Sequence, residues 1–483
     1  MIKVSKSTII DAPIETVWSV LRDFNSHTAW HPIVAQSQIE GGEASDRVGC
    51  VRSFHLQDGA RVREQLLSLS DREHRFTYCI LEADVPLERY VATVRLKPVT
   101  DRRRTFWHWQ STFRAPRGRE QELAELVGRD VYESGFAGLK RYLEQGGTTA
   151  VENAAGQTIA ARAIVFERYG GPNVLAMRDI SVPPPGPGEV RLRQTAVGVN
   201  YLDVYIRRGI VPLAAPGDAL GVEAAGVVID VGTGVTQVMR GDRVAYAMLP
   251  PGSYATHRNV PAAQLVRIPD AIDDDTAAGV LLKGLTAEYL LHRLHPLERG
   301  ETVLVHAAAG GLGSLVAQWA RALGATVIGT VSSEEKARDA RQAGCHHVIV
   351  TQDYVFANAV QSATDDHGAD LIVDGLGERG AAQNLASLAM FGHWVSVGQA
   401  SGELPPLSPH DLIAKSATFS RPVVFHYTAD ARRLAEMAQR LWSMIESGRV
   451  RAMIGARYPL AAAGEAHRAL EARTTRGSQV LIP

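Results

Sequence analysis

Hydrophobic residues follow two different periods in the first part of the 483-residue chain. Residues 2–10 alternate as in a strand, and Pro13 then opens a segment whose apolar positions have helical spacing. Alternating runs predict further strands at 48–56, 62–69, 91–96 and 105–113. A continuous apolar stripe predicts a long helix over 120–143. This order of elements indicates an α+β domain.

The pattern changes after residues 147–157, a small, polar and non-periodic segment that is typical of a linker. Residues 160–285 are rich in Gly, Pro and Val and contain short β-like runs. From Glu301 to about Ser420, short apolar strands alternate with helical stretches. This βαβ rhythm implies a parallel sheet, so the chain is predicted to be multidomain.

Composition narrows the possible partners. Hydrophobic residues make up 45% of the chain and charged residues 21%, as in an ordinary globular protein. The net charge of -1 gives no basic field for nucleic acid, and no apolar run is long enough to span a bilayer. Cys50, Cys79 and Cys345 are far apart, which argues against disulfides and a thiolate zinc site. We therefore expect a cytoplasmic protein with neither nucleic acid nor a membrane span.

A glycine-rich turn provides the strongest chemical signal. The apolar strand at 302–306 runs into the turn at 307–313, and a helical stretch follows up to Gly324. In this context backbone N–H groups and the helix dipole bind a pyrophosphate. Gly310 would let the backbone approach the phosphates, and Gly313 would let helix and strand pack closely. The alternative is a glycine-rich βα turn without a ligand.

The end of the next strand, 325–331, bears on the choice of dinucleotide. An NAD site usually places Asp or Glu there to bind the ribose 2′-hydroxyl, but this chain has Val331. Ser332 and Lys336 follow, and a hydroxyl with an ammonium can bind a 2′-phosphate. The sequence therefore favours NADP(H). The alternative for Lys336 is a solvated helix lysine, and Glu334 and Glu335 weaken the charge argument.

Several segments, taken in order, resemble the zinc-free quinone oxidoreductase (zeta-crystallin-like) branch of the medium-chain dehydrogenase/reductase superfamily. They are 170–175, 198–209, 221–228, 241–244, 283–287, 306–313 and 477–483. The resemblance implies a GroES-like catalytic domain at 158–285, completed by 421–483. It implies an inserted α/β Rossmann domain at 286–420, and also a homodimer.

The same resemblance implies the roles of individual residues. Those beside the nicotinamide would be Asn200, Tyr205, Lys283 and Thr286. The pyrophosphate would be held by Gly310, Gly311, Leu312 and Gly313, and the 2′-phosphate by Ser332 and Lys336. The nicotinamide ribose would contact Ser396, Val397 and Gly398. Thr351 stands where an aromatic residue or histidine often stacks on the adenine, a departure that would weaken adenine binding.

Zinc-dependent members of the superfamily place a cysteine ligand at the position of Asn200 and a histidine ligand at that of Val222. The resemblance therefore implies no metal. Without zinc to stabilise an alkoxide, the favoured reaction is hydride transfer to an acceptor that is already electrophilic, such as a quinone or an α,β-unsaturated carbonyl. Asp203 and Glu223 are interpreted as hydrogen-bonding residues rather than as an acid or base.

Residues 1–146 resemble the START-like (polyketide cyclase/dehydrase) superfamily through 11–24, the Trp-His-Pro motif at 30–32 and the last helix. The resemblance implies a helix gripped by an antiparallel sheet around a cavity for a separate apolar ligand. Candidate lining residues are Glu64, Tyr78 and Trp107. Strand alternation puts Glu64 on the apolar face, and the alternative is a carboxylate at the rim. His31 is interpreted as a turn residue.

The main hypothesis is an NADPH-dependent reductase for a quinone or enone, fused to a domain that binds a hydrophobic ligand. One alternative is a ligand-binding or sensor protein with a non-catalytic reductase scaffold. Another is a bifunctional protein in which a cyclase or dehydratase acts in sequence with the reductase.

Overall fold

The computed structural model describes residues 1–43, 45–71, 73–99, 104–144 and 157–483. The chain divides into two units, Met1–Gln157 and Thr158–Pro483. The predicted linker at 147–157 lies, apart from Gln157, outside the described residues. Among the helices of these ranges, none has the length and apolar character needed to cross a membrane.

An antiparallel sheet forms the centre of the N-terminal unit. Its strands are β1 (Ile2–Ile10), β2 (Val34–Ile39), β3 (Val51–Leu56), β4 (Arg61–Ser70), β5 (Arg75–Ala83), β6 (Glu88–Pro98) and β7 (Thr105–Arg114). They lie in the order β1-β7-β6-β5-β4-β3-β2. Every second residue of β7 from Thr105 to Phe113 is buried, as alternation along a half-buried strand requires. The inner face of the sheet therefore carries the core of this unit.

Helices pack on that inner face. They are α1 (Ile14–Leu21), α2 (His27–Trp30), α3 (Glu120–Glu125) and α4 (Ser134–Glu144). The single helix predicted over 120–143 is interrupted, because Leu126–Glu133 between α3 and α4 is π-helical. Such widened turns are uncommon and are often found at functional sites. On α4, a Cβ at Gly138 would lie only 2.2 Å from the carbonyl oxygen of Trp30, so glycine lets α4 pack tightly on α2.

The C-terminal unit begins with a mainly antiparallel region. Its elements are β8 (Ile159–Phe166), β9 (Leu175–Val182), β10 (Glu189–Val199), α5 (Tyr201–Arg207), β11 (Glu223–Val231), β12 (Arg243–Ala247), β13 (His257–Pro261), β14 (Val266–Arg267) and α6 (Asp274–Tyr289). An alternating region follows, with β15 (Thr302–Val305), α7 (Gly311–Leu323), β16 (Thr326–Val331), α8 (Glu334–Gln342), β17 (His347–Val350), α9 (Ala357–Ala363), β18 (Ala369–Asp374), α10 (Ala381–Ser387), β19 (Leu388–Ser396), α11 (Pro409–Ile413), β20 (Thr418–Ser420) and α12 (Val424–Thr428). The chain ends with α13 (Ala431–Glu446), β21 (Ile454–Pro459), α14 (Ala463–Glu471) and β22 (Ser478–Ile482).

Two large sheets organise this unit. The first has the order β14-β12-β11-β10-β22-β21, and β13 also pairs with β10. The second is parallel, with the order β17-β16-β15-β18-β19-β20. The predicted βαβ rhythm is therefore present. The strand order reverses between β15 and β18, and in such sheets ligands bind in the crevice at the carboxyl ends of the strands on either side of that point.

Candidate active site

Glu223, the first residue of β11, is fully buried and its carboxylate holds three groups together. Its Oε1 atom accepts hydrogen bonds from Asn200 Nδ2 at 2.8 Å and from Lys283 Nζ at 2.9 Å. Its Oε2 atom accepts from the backbone N–H of Leu282 at 2.7 Å. A buried carboxylate is costly unless it is paired in this way. Glu223 therefore fixes two of the predicted catalytic residues relative to each other.

Asn200 occupies the junction between β10 and α5. Its backbone N–H donates to Oδ2 of Asp203 at 2.8 Å, and the hydroxyl of Tyr254 donates to the same oxygen at 3.0 Å. Burial raises the pKa of Asp203 to about 7. These contacts fit a structural role for Asp203, which holds the start of α5 and thereby the backbone of Asn200.

Tyr205, on α5, reaches the end of the parallel sheet. Its hydroxyl oxygen accepts a hydrogen bond from the backbone N–H of Gln399 at 2.8 Å, and burial raises the pKa of Tyr205 to about 12. Gln399 lines a cavity of about 470 Å³, together with Trp394 and Arg421. The guanidinium of Arg421 donates to Oε1 of Gln399 at 2.6 Å. Cavities of this volume hold small organic molecules.

The glycine turn lies at the start of α7, which begins at Gly311 rather than at the predicted residue 314. A Cβ at Gly313 would lie 2.4 Å from the carbonyl oxygen of Ala307, so only glycine fits there. A Cβ at Gly311 would lie 2.9 Å from Cδ of Lys283. The Lys283 side chain therefore passes the start of α7, where the helix dipole already favours an anion. Gly310 precedes the helix, and Leu312 is partly buried against the core.

Basic residues gather at the end of β16, beyond Ser332. The Nζ atom of Lys336 donates to the carbonyl oxygen of Arg473 at 2.5 Å. Burial, with a smaller effect of the Arg473 guanidinium, lowers the pKa of Lys336. The ring of Tyr354 contacts the guanidinium groups of Arg379, at 4.2 Å, and of Arg473, at 5.5 Å. Sequence reasoning missed Arg473 because it lies 137 residues from Lys336.

The remaining predicted site residues lie on α6, after β17 and at the carboxyl end of β19. Thr286 follows Lys283 on α6, and its hydroxyl donates to the carbonyl oxygen of Leu282 at 2.8 Å. Thr351 follows β17, and its hydroxyl donates to Asp353 at 2.9 Å. Three residues lie at or just beyond the carboxyl end of β19: Ser396, Val397 and Gly398. The backbone N–H of Val397 donates to the carbonyl oxygen of Asp374, at the end of β18, at 2.7 Å.

The residues at the superfamily's zinc position do not fit that metal. The side chain of Val222 is apolar and fully buried, and the amide nitrogen of Asn200 is bound to Glu223. Neither supplies the thiolate or imidazole that zinc prefers. Across the residues that the structure describes, no group of three or more His, Cys, Asp or Glu side chains could hold a metal ion.

A second candidate site lies in the N-terminal unit, where the structure places Glu64 on the inner face rather than at the rim. Glu64 pairs with Arg52 of the neighbouring strand, whose Nε donates to its Oε2 at 2.9 Å. Arg52 also donates to Nδ1 of His27 at 2.6 Å. Sequence reasoning missed Arg52, although it lies directly opposite Glu64 in the register of β3 and β4. Alternation along β3 was the signal that could have identified it.

This buried pair adjoins a cavity of about 80 Å³, which Glu64 and Tyr78 help to line. Trp107 is not among the lining residues. It is fully buried in the core, where its ring packs 4.7 Å from that of Phe136. The interpretation of His31 as a turn residue is incomplete, because His31 directly follows α2, is 3% exposed and lines the cavity.

Comparison with known proteins gives three family matches. Residues 1–144 match the model described as polyketide cyclase / dehydrase and lipid transport. Residues 186–270 match the alcohol dehydrogenase GroES-like domain, and residues 311–442 match the zinc-binding dehydrogenase model. The last description contrasts with the residues at the zinc position of this chain. The matches define a dehydrogenase/reductase of the medium-chain type behind a polyketide cyclase-type domain.

Individual relatives show which medium-chain dehydrogenases and reductases the chain is similar to. A quinone oxidoreductase of Pseudomonas aeruginosa is 43% identical over 324 residues, which is 67% of this chain and 100% of the relative. A 2-haloacrylate reductase of Burkholderia sp is 41% identical over 328 residues, 66% of this chain and 98% of the relative. The crystal structure of Escherichia coli quinone oxidoreductase complexed with NADPH has a TM-score of 0.65 and 36% identity, covering 67% of this chain and 100% of that one. The chain therefore belongs, through its C-terminal two thirds, to the quinone oxidoreductase family of oxidoreductases.

Proposed function

We propose that the C-terminal unit reduces a quinone or an α,β-unsaturated carbonyl compound with NADPH. The observation that carries this proposal is the shared carboxylate of Glu223, which holds Asn200 and Lys283 together. Lys283 also passes the start of α7, where a pyrophosphate would bind. The groups that would orient a nicotinamide and its phosphates are thus joined in one rigid cluster.

The residues present fit an NADP(H) cofactor. A Cβ at Gly311 would meet Lys283 and a Cβ at Gly313 would meet Ala307, so these glycines let the start of α7 pack closely, and backbone N–H groups at a helix start bind a pyrophosphate. Lys336, Arg473 and Ser332 provide cations and a hydroxyl for a 2′-phosphate. The NADPH complexes of related proteins support this assignment. When bound, the cofactor supplies the hydride.

The cavity next to Tyr205 is the proposed site of the acceptor. Tyr205 holds the backbone of Gln399, and Gln399 and Arg421 present polar groups to a cavity otherwise lined mainly by apolar and aromatic residues. Such a cavity orients the acceptor against the nicotinamide. Reduction of a quinone to a hydroquinone needs one hydride and one proton, and solvent supplies the proton. The names of the relatives, quinone oxidoreductase and 2-haloacrylate reductase, agree with acceptors of this kind.

We further propose that the N-terminal unit is a helix-grip domain that binds a separate apolar ligand in the cavity beside Glu64 and Tyr78. The resemblance to START-like proteins and the π-helical segment at this cavity support the proposal. A homodimer is proposed through β20, which has a single neighbour, β19, among the described strands of its sheet. A cytoplasmic location is proposed because all three cysteines are free thiols.

Steady-state oxidation of NADPH with a panel of quinones, α,β-unsaturated ketones and 2-haloacrylates tests the proposed activity. We expect turnover with at least one acceptor class and no turnover of saturated alcohols with NADP⁺. If the protein binds NADPH but no acceptor accelerates its oxidation, the enzymatic proposal fails and the ligand-binding alternative gains support.

A further inference from the structure

His31 has an unusual bonding state within the N-terminal unit. Its Nε2 atom lies 3.1 Å from the carbonyl oxygen of Val131, in the π-helical segment. A carbonyl oxygen can only accept, so Nε2 must carry the proton of the neutral ring. The Nδ1 atom is then an acceptor. It is buried and has no hydrogen-bond partner among the described residues.

Burial keeps this histidine neutral. It lowers the pKa of His31 to about 4, and the nearby Arg52 guanidinium also lowers it, while the bond to Val131 acts in the opposite direction. An acceptor left unpaired in a buried position costs free energy that a suitable donor would recover. A ligand that donates a hydrogen bond to the Nδ1 atom would therefore bind more tightly than one that cannot.

The orientation of the ring is fixed by α4. A Cβ at Gly135 would lie 2.9 Å from Nε2 and 3.2 Å from Cδ2 of His31, so glycine at this position makes room for that edge of the ring. The Nδ1 atom lies on the opposite edge, which faces away from α4. His31 is one of the residues that line the cavity of about 80 Å³, and a donor inside the cavity reaches the buried Nδ1 atom only when the neighbouring side chains shift.

The cavity also limits what can bind. Its lining is largely apolar and includes the aromatic rings of Phe54, Tyr78, Tyr90 and Trp109. Its volume of about 80 Å³ is smaller than the roughly 150 Å³ of an engineered apolar cavity that binds benzene. Even a single ring therefore fits only when the lining side chains move apart and enlarge the cavity, and an occupant larger than one ring with small substituents is excluded.

We propose that this cavity binds a single-ring phenol, and that His31 selects it by accepting a hydrogen bond from the phenolic hydroxyl. A quinone or an aryl ether of the same size has no O–H group and would leave the Nδ1 atom unpaired. A hydroquinone is such a phenol, and it is the product of single-ring quinone reduction. This link to the C-terminal unit rests on the proposed function, whereas the binding of a phenol does not.

Isothermal titration calorimetry on the full chain, without cofactor, tests the proposal with matched pairs of probes: phenol against anisole, and hydroquinone against 1,4-dimethoxybenzene. We expect the hydroxylated member of each pair to bind about tenfold more tightly or better, since its partner leaves a buried acceptor unsatisfied. His31→Leu should bring phenol and anisole to within about twofold of each other. His108→Leu, a change on β7 of the same unit at a residue bonded to Ser5, should keep the preference.

Equal binding of phenol and anisole by the unaltered protein overturns the proposal. An absence of binding by both also overturns it, and would mean that a water molecule donates the hydrogen bond to the Nδ1 atom. A preference that persists in His31→Leu would place the phenol elsewhere and also overturns it. The comparison in the unaltered protein needs no variant, so it holds even if His31→Leu fails to fold. None of these outcomes depends on NADPH oxidation, so this proposal and the proposed reductase activity can fail separately.

Discussion

The side-chain amide of Asn200 donates a hydrogen bond to Oε1 of Glu223 across 2.8 Å, and the same oxygen binds the ammonium of Lys283. One buried carboxylate thus orients an amide from the start of α5 and a cation from α6. Glu223 acts through these two residues, so we regard it as a positioning residue. The geometry of the proposed nicotinamide site depends on its charge.

Glu223→Gln should lower kcat about 10- to 150-fold, because a charge-assisted hydrogen bond contributes about 1.5–3 kcal/mol. The KM for the acceptor should change much less, since the cavity beside Gln399 remains intact. Glu288→Gln is the matched control. Glu288 lies on α6, is fully buried like Glu223, and pairs with Arg293 at 3.0 Å. This control should lower stability but leave kcat nearly unchanged. Equal losses of kcat in both variants would reduce Glu223 to a purely structural role.

Tyr205→Phe removes the acceptor of the Gln399 N–H bond. A neutral hydrogen bond contributes about 0.5–1.5 kcal/mol, so we expect the KM for the acceptor to rise about 2- to 12-fold. The dissociation constant for NADPH, measured by fluorescence quenching, should stay the same. Tyr201→Phe, on the same helix, serves as the control and should leave both constants unchanged. A weaker binding of NADPH by Tyr205→Phe would show that Tyr205 serves the cofactor instead.

Lys336→Ala should separate the two nicotinamide cofactors. We expect the KM for NADPH to rise about 10- to 100-fold, as for loss of a charge-assisted bond to phosphate, while the KM for NADH changes little. Arg338→Ala, at an exposed position of the same helix, should change neither value. An equal rise for both cofactors would contradict the assignment of Lys336 to the 2′-phosphate.

His467 predicts a stability that depends on pH. Its Nδ1 accepts from Arg207 at 3.1 Å, and it is fully buried beside Tyr254, so burial and the Arg207 charge lower its pKa to about 3. The unfolded value is about 6.5, so the unfolded chain binds a proton first. The stability due to neutral His467 is thus complete above about pH 6.5 and is lost as the pH falls towards about 3. The urea midpoint of unfolding should therefore decrease between pH 7 and pH 5. This decrease should be smaller for His467→Gln, which lacks the buried imidazole, than for the control His367→Gln at an exposed position.

The periodicity of the sequence predicted the βαβ rhythm of the parallel sheet and five of the seven strands of the N-terminal sheet, but it missed β2 and β5. Alternation along 62–69 put Glu64 on the inner face, and the strand-turn-helix pattern at 302–324 located the start of α7 to within three residues. These features depend on local spacing, which is visible in a sequence. The family resemblance added residues such as Asn200 and Lys283, whose proximity no local pattern reveals.

Contacts between distant segments could not be predicted. Arg473 meets Lys336 across 137 residues, and Gln399 meets Tyr205 across 194. The π-helical turns at 126–133 could not be predicted from the spacing of apolar residues either, because that prediction assumes the period of an α-helix, which a π-helix does not have. The role of His31 depends on those turns and on Gly135, so the Trp-His-Pro motif alone indicated only a turn.

The most direct test of the central claim follows the hydride itself. The full chain is given NADPH carrying deuterium at either face of the nicotinamide C4, together with an α,β-unsaturated ketone, and the product is analysed by mass spectrometry and NMR. We predict that deuterium from one face alone appears at the β-carbon of the saturated ketone, and that the α-hydrogen comes from solvent. Product without deuterium from either face, or deuterium at a carbinol carbon, would contradict the proposed hydride transfer to a preactivated acceptor.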